Sequence, residues 1–186
     1  MTHRTALLCG AVLAAAALAS CLAVLAVTPG LLMDRLRQRL TAHSFPVNRT
    51  APLNTFLHQR EIGPPPDLAL GPPDPTTLVS SAWIDLAQGP MRLVVPPTGP
   101  RPFGVVVLDG RGDRIGWAGA AIVGRAGAAI VVAGPDWRGP PPPGAALLRA
   151  GTPTAWIVAR FAVEDEADVP AVHALQDGLR LTPEKR

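Results

Sequence analysis

Tyrosine is absent from this chain, lysine occurs once, and only 17% of the 186 residues are charged, against ~25% in a typical soluble domain. Cysteine is almost as scarce. Both copies, Cys9 and Cys21, fall in the apolar N-terminal stretch, so the rest of the chain has no disulfide and no thiolate metal site. The four histidines, His3, His43, His58 and His173, stand far apart and form neither H-x-x-x-H nor H-x-H; no zinc site is indicated. Basic residues do not concentrate. The net charge is +3, and sixteen of the 17 basic side chains are arginines scattered singly, without interleaved aromatics. Nucleic-acid binding needs a clustered electrostatic footprint, which is missing here.

Familiar catalytic motifs are missing too. No G-x-S-x-G elbow occurs, and Ser80-Ser81 lie inside a predicted strand, the wrong place for an exposed nucleophile. Gly110-x-Gly112 follows a strand, but Ile115 and the lack of a helical pattern defeat the dinucleotide fingerprint. There is no G-K-[ST] phosphate loop. No cofactor and no metal are implied.

Proline and glycine are abundant, 22 and 18 residues, which favours turns, short strands and linkers over long helices. The N-terminal stretch is the exception. Ala6 to Val27 carries no charge and is long enough to cross a ~30 Å hydrocarbon core as a helix that satisfies its own backbone. Arg4 precedes it, and Pro29-Gly30 mark its end. An uncleaved anchor is favoured over a cleaved signal peptide, because the apolar run is long and a small-residue cleavage site before a polar start is missing. A lipoprotein signal is a third reading. Leu18-Ala19-Ser20-Cys21 resembles a lipobox, yet the apolar Leu22 to Val27 follows it. Arg35, Arg37 and Arg39 pull toward a cytoplasmic C-terminal side by the positive-inside rule; a signal-anchor would place that side in the periplasm or outside the cell, and this is the expectation adopted. Leu32, Leu36 and Leu40 recur every four residues, as in a short amphipathic helix at the membrane surface or a solvated continuation of the anchor.

Residues 44–75 are proline-rich and read as a stiff extended spacer. From Thr77 the texture changes to short apolar runs between turn clusters. Leu78–Leu86, Met91–Val95, Phe103–Leu108, Ala120–Val123, Ala128–Ala133, Ala145–Arg149 and Ala155–Val163 are predicted strands. Their spacing points to a mainly β, antiparallel sandwich or jelly-roll-like domain. One short C-terminal helix is predicted, capped by Asp168, with Pro170 in its first turn and Gly178 at its close; Val169, Val172 and Leu175 share its apolar face. The acidic run before it, Glu164, Asp165, Glu166 and Asp168, reads as a solvated loop. The expected organisation is thus residues 1–30 as a transmembrane anchor, 31–75 as a juxtamembrane helix and proline-rich linker, and 76–186 as the β domain.

Candidate chemistry in that domain is thin. Asp85 and Asp109 sit at predicted strand ends and could pair as acid and base if their strands are neighbours, with Arg160 beside them. The simpler role for the two aspartates is to initiate turns. Arg111-Gly112-Asp113 is read as a hairpin tip. Trp83, Trp117, Trp137 and Trp156 are expected in the core or at sheet edges, or, less favoured, lining a ligand groove.

Several motifs occur in an order that resembles the bacterial domain of unknown function 1254 family. They are Ser81-Ala82-Trp83-Ile84-Asp85-Leu86 with Gly89-Pro90, Leu93-Val94-Val95-Pro96, Leu108-Asp109, and Gly134-Pro135-Asp136-Trp137-Arg138-Gly139 with Pro143-Gly144. Then come Thr152-Pro153-Thr154-Ala155-Trp156-Ile157-Val158-Ala159-Arg160 and Leu175-Gln176. The resemblance spans residues 76–181. It implies a β-sandwich-like domain, often secreted or anchored and often encoded beside a protein of the related domain of unknown function 1214 family, and it supplies no reaction. This chain departs from the family pattern at Pro75-Thr76-Thr77-Leu78-Val79 and Arg101-Pro102-Phe103-Gly104, where longer members carry polar and tyrosine-rich segments. The expectation is therefore a membrane-anchored cell-envelope accessory or binding domain without enzymatic activity. The alternative is a small-molecule binder or hydrolase-like enzyme built around Asp85, Asp109 and Arg160.

Overall fold

The computed structural model describes residues 3–41, 51–63, 76–140 and 143–184, and only the backbone of residues 3–15. Most prolines of the expected spacer lie outside the described residues.

A single long helix, α1 (His3–Thr41), opens the chain and continues through Pro29. The sequence places the end of the apolar helix at Pro29-Gly30. Proline at this position removes one N–H and obstructs one turn, but Leu31 to Leu40 is rich in leucine, methionine and arginine, which are good helix formers, and its apolar side finds a surface to pack on. Side chains from Leu18 to Leu32 are largely exposed, whereas Leu40 is buried and Met33 and Leu36 are partly so. Residues 32–40 therefore continue α1 and also present one apolar face.

Nine strands follow among the described residues: β1 (Leu57–His58), β2 (Thr77–Asp85), β3 (Met91–Val95), β4 (Phe103–Asp109), β5 (Arg114–Gly119), β6 (Ala128–Ala133), β7 (Ala146–Arg149), β8 (Thr154–Ala162) and β9 (Arg180–Pro183). They form two sheets, ordered β1-β2-β8-β4-β5 and β7-β6-β3-β9. All pairings are antiparallel except β6 with β7. Leu78, Ile84, Val105, Ile157 and Phe161 from the first sheet share one apolar cluster with Leu93, Val95, Ile130 and Val132 from the second. The fold is mainly β.

Two short helices complete it. α2 (Ala120–Val123) occupies a stretch whose apolar residues predict a strand. The correction has a local cause: β5 takes the pairing with β4, and the alanines after it turn away as one helical turn. β5 itself escapes the sequence reading because it contains Gly116 and Gly119. A side chain at either position would crowd a neighbour: a Cβ on Gly116 would meet Leu148 at 2.3 Å, and one on Gly119 would meet the Trp117 ring at 2.8 Å. β1 lies within the expected linker, yet it pairs with β2, Leu57 opposite Ser81 and His58 opposite Ser80.

α3 (Val169–Gly178) is where the sequence puts it, with Pro170 in its first turn and Val172 buried in the core. Its cap differs. Asp165 accepts from the Asp168 backbone N–H and caps the preceding 3-10 turn, Glu166–Asp168. The Asp168 carboxylate instead takes both arms of Arg101, at 2.5 and 2.7 Å. This fork holds its pKa down to about 2, so the acidic run is anchored at its C-terminal end.

Candidate functional site

The sheet register decides what Asp85, Asp109 and Arg160 can do together. Asp85 lies opposite Thr154 and Asp109 opposite Ala155. Opposed residues share a face of the sheet and consecutive residues alternate, so the two aspartates lie on opposite faces, with β8 between their strands. Arg160 lies opposite Val79 and Gly104, at the other end of β8, six residues or ~20 Å from Thr154 at ~3.3 Å per residue. The three candidates do not meet.

Each aspartate is committed to its own turn. The Asp85 carboxylate accepts from the Ala87 N–H at 2.9 Å, and the Asp85 N–H donates to Asn54 at 2.8 Å. Asp109 is buried and accepts from the N–H groups of Arg111 and Asp113 at 2.8 and 3.1 Å. It thereby shapes the β4–β5 hairpin, whose tip glycine, Gly112, has φ 89°. Arg160 is also engaged. Among the described residues, no group of three or more His, Cys, Asp or Glu is placed to hold a metal.

Two concave surfaces stand out among the described residues. The larger is an open groove of about 680 Å³ at the end of the domain where β2, β4 and β6 finish and β8 begins. Its wall is the turn Gly134–Gly139. The Trp137 N–H donates to the Gly134 carbonyl at 3.3 Å, and Arg138 reaches back to the Pro135 carbonyl. Arg149 lies 5.3 Å from the centre of the Trp137 ring and donates to the Trp137 carbonyl at 2.9 Å. Leu86 and Pro153 form the opposite side, joined by a 2.8 Å bond from the Leu86 N–H to the Pro153 carbonyl. Thr152 knits the same end together: its hydroxyl donates to the Thr154 carbonyl at 2.7 Å and accepts from the Gly110 N–H at 2.6 Å. Trp137 is only half-buried. The sequence favours the core or a sheet edge for it over a groove; it lines the groove.

The smaller surface is an apolar cleft of about 340 Å³ where the two sheets part, bordered by β5 on one side and β6 and β7 on the other. Trp117 and Ile122 flank it at 58% and 61% exposure. Outside α1, they are the large apolar side chains that stand exposed among the described residues. Trp117 stands on the edge strand β5, one of the places the sequence expects, and Trp83 and Trp156 lie in the core, the other. Those two stack at 5.5 Å with planes 5° apart, in a cluster with Val79, Val158 and Leu40 of α1.

A polar network missed by sequence reasoning joins β1 to α3. His58 Nδ1 is hydrogen-bonded to the Ser80 hydroxyl at 2.8 Å, and His173 donates from Nε2 to the Arg60 carbonyl at 2.8 Å. Arg60 pairs with Asp177 at 2.5 Å, and the buried Gln176 amide donates to the Gln59 carbonyl at 3.0 Å. Burial, then the nearby Arg60 charge, lowers the His58 pKa to about 4. The imidazole is neutral at neutral pH and Ser80 is wholly buried, so this pair fastens a strand edge. No sequence signal marks it, because β1 is two residues long.

Residues 53–183 match a family described as "Protein of unknown function (DUF1254)". Among solved structures, the VPA0106 protein of Vibrio parahaemolyticus is similar at a TM-score of 0.61 and 18% identity, over 84% of this chain and 39% of that one. A putative uncharacterized protein from Burkholderia cenocepacia is similar at a TM-score of 0.45 and 13% identity, over 73% of this chain and 36% of that one. The first of these is a likeness of fold, and this chain spans well under half the length of either protein. No curated protein matches.

Proposed function

Since the chain belongs to the domain of unknown function 1254 family, we propose that it is a membrane-tethered accessory domain of the cell envelope that binds a partner protein rather than transforming a substrate. α1 serves as the single-pass anchor in the bilayer, and the β domain stands on the periplasmic or extracellular side. The anchor role draws on the apolar composition of the helix, whose most apolar 18-residue window has a mean hydropathy of 2.1 and no buried side chain.

The observation that carries the binding role is the exposure of Trp117, on the outer face of β5, and of Ile122, both beside an apolar cleft at the open edges of both sheets. Exposed aromatics beside unpaired strand edges suit a partner that lays down an apolar segment or adds a strand. The partner we assign is a companion envelope protein of the related domain of unknown function 1214 family. The solved protein of similar fold carries more than half of its chain beyond the part that aligns here, so a separate companion would supply contacts that longer proteins make within one chain. The enzyme alternative finds no support in Asp85, Asp109 and Arg160, because the sheet holds them apart.

Co-expression of the full chain with such a companion should give a complex that co-purifies in detergent, and Trp117→Glu with Ile122→Glu should dissolve it while leaving the melting temperature nearly unchanged. Retention of the complex by the double variant, or no complex with the unmodified chain, would overturn the assignment. Protease accessibility in spheroplasts fixes the side: protection of the β domain from added protease would place it in the cytoplasm.

A further inference from the structure

The path of α1 into the domain orients the domain on the bilayer. Its side chains are exposed from Ala16 to Leu32, and packing starts at Met33. Met33 lies beside the β4–β5 hairpin: a Cβ on Gly112 would touch it at 3.5 Å. The helix thus enters at the hairpin end, and the domain extends away from there along Leu36 and Leu40, against Trp83 and Trp156.

The groove of Trp137 lies at that same end. Pro153 and Leu86 line it, and Thr152, next to Pro153, bonds to Gly110 in the hairpin. An α-helix rises 1.5 Å per residue, so Met33 is within one turn of the exposed apolar run that ends at Leu32. The polar layer of a bilayer adds roughly 5–8 Å on each side of the hydrocarbon. The hairpin tip and the groove mouth fall at the level of that layer. Their side chains suit it. Tryptophan and arginine place an apolar body and a polar or charged tip across such a boundary, and here Trp137 is half-buried while Arg111, Arg114 and Arg138 are exposed. The exposed acids Asp113 and Asp136 lie among them, which leaves the end close to neutral and favours no particular headgroup charge.

We infer that this groove is a membrane-contact site that seats phospholipid headgroups, with Trp137 at the glycerol level and Arg111 and Arg138 turned to phosphate. The inference rests on the reading of α1 as a bilayer anchor. The test uses the full chain in phosphatidylcholine vesicles containing lipid with a nitroxide at the headgroup or deep in the acyl chain. A Trp117→Phe background leaves Trp137 as the one indole that is not buried. Flotation comes first: a chain that does not float with the vesicles ends the anchor reading itself. For a chain that floats, the headgroup label should quench Trp137 emission more than the deep label, equally in vesicles with and without phosphatidylglycerol, and adding Trp137→Phe should remove that quenched component. An anchored chain whose emission ignores both labels, or is quenched equally after Trp137→Phe, overturns the membrane contact. Quenching that requires phosphatidylglycerol overturns the headgroup-neutral form of it.

Discussion

The two faces of the β1-β2-β8-β4-β5 sheet are both covered, but by different partners. The inner face meets the second sheet through aliphatics and the Phe103–Phe161 contact, rings 4.8 Å apart. The outer face holds the Trp83–Trp156 stack beneath the last turns of α1. Burial along the strands records the difference. β3 and β4 alternate buried and half-buried positions, whereas β2 is buried at seven successive positions and β8 at five. A strand apolar on both faces needs two covers. Here the second cover is a helix that extends from the exposed apolar segment, so α1 and the domain share a packing interface.

The sharpest way to break this comparison is to truncate one aromatic on each face. Phe161→Ala and Trp156→Ala are each expected to cost about 3–5 kcal/mol, the range for buried aromatics, in denaturant unfolding of the detergent-solubilised chain. A much smaller loss for Trp156→Ala would show that the outer face is not part of the cooperative fold. Leu40→Ala tests the cover itself. It should cost about 2–3 kcal/mol, at the low end for buried leucine because a helix end can settle into the gap, and a wild-type midpoint would show that α1 does not stabilise the sheet. Trp137→Ala, by contrast, removes a half-buried ring with one cation–π partner and should cost about 1 kcal/mol or less; a loss as large as that of Trp156→Ala would make the groove a core element.

The finest comparison is at the β1 edge of the same sheet, through pH. The folded-state pKa of His58, about 4, is below its unfolded value of ~6.5. Between these values the unfolded chain binds the extra proton, so stability must fall as pH drops from ~6.5 to ~4 and level off below that. Partial exposure of the ring keeps the slope shallow. Unfolding midpoints across this window should show the decline, and His58→Gln should flatten it; an equal decline in the variant would assign it to another group.

Much of the fold could be read before the structure. Short apolar runs between turn clusters locate β3, β4 and β6, and Asp-Val-Pro followed by Gly178 places α3. The double-faced apolar runs of β2 and β8 were visible as strands, but a sequence does not say what covers a second face. β5 was hidden because its glycines answer to contacts with Leu148 and Trp117 that arise only in three dimensions. The site was less legible still. Gly134–Gly139 reads correctly as a turn, yet the groove exists because Leu86 and Pro153, distant in sequence, end their strands beside it. Asp85 and Asp109 were correctly seen at strand ends, and the one-residue offset of their partners on β8 sends them to opposite faces.

The stacked indoles give α1 an optical signature. With no phenol in the chain, near-ultraviolet circular dichroism above 280 nm comes from indole alone, and a rigid pair sealed from solvent contributes ellipticity that freely rotating rings average away. Detachment of the helix from the sheet would erase that band while the far-ultraviolet strand signal stayed intact, so the seating of α1 on the sheet can be followed without a label.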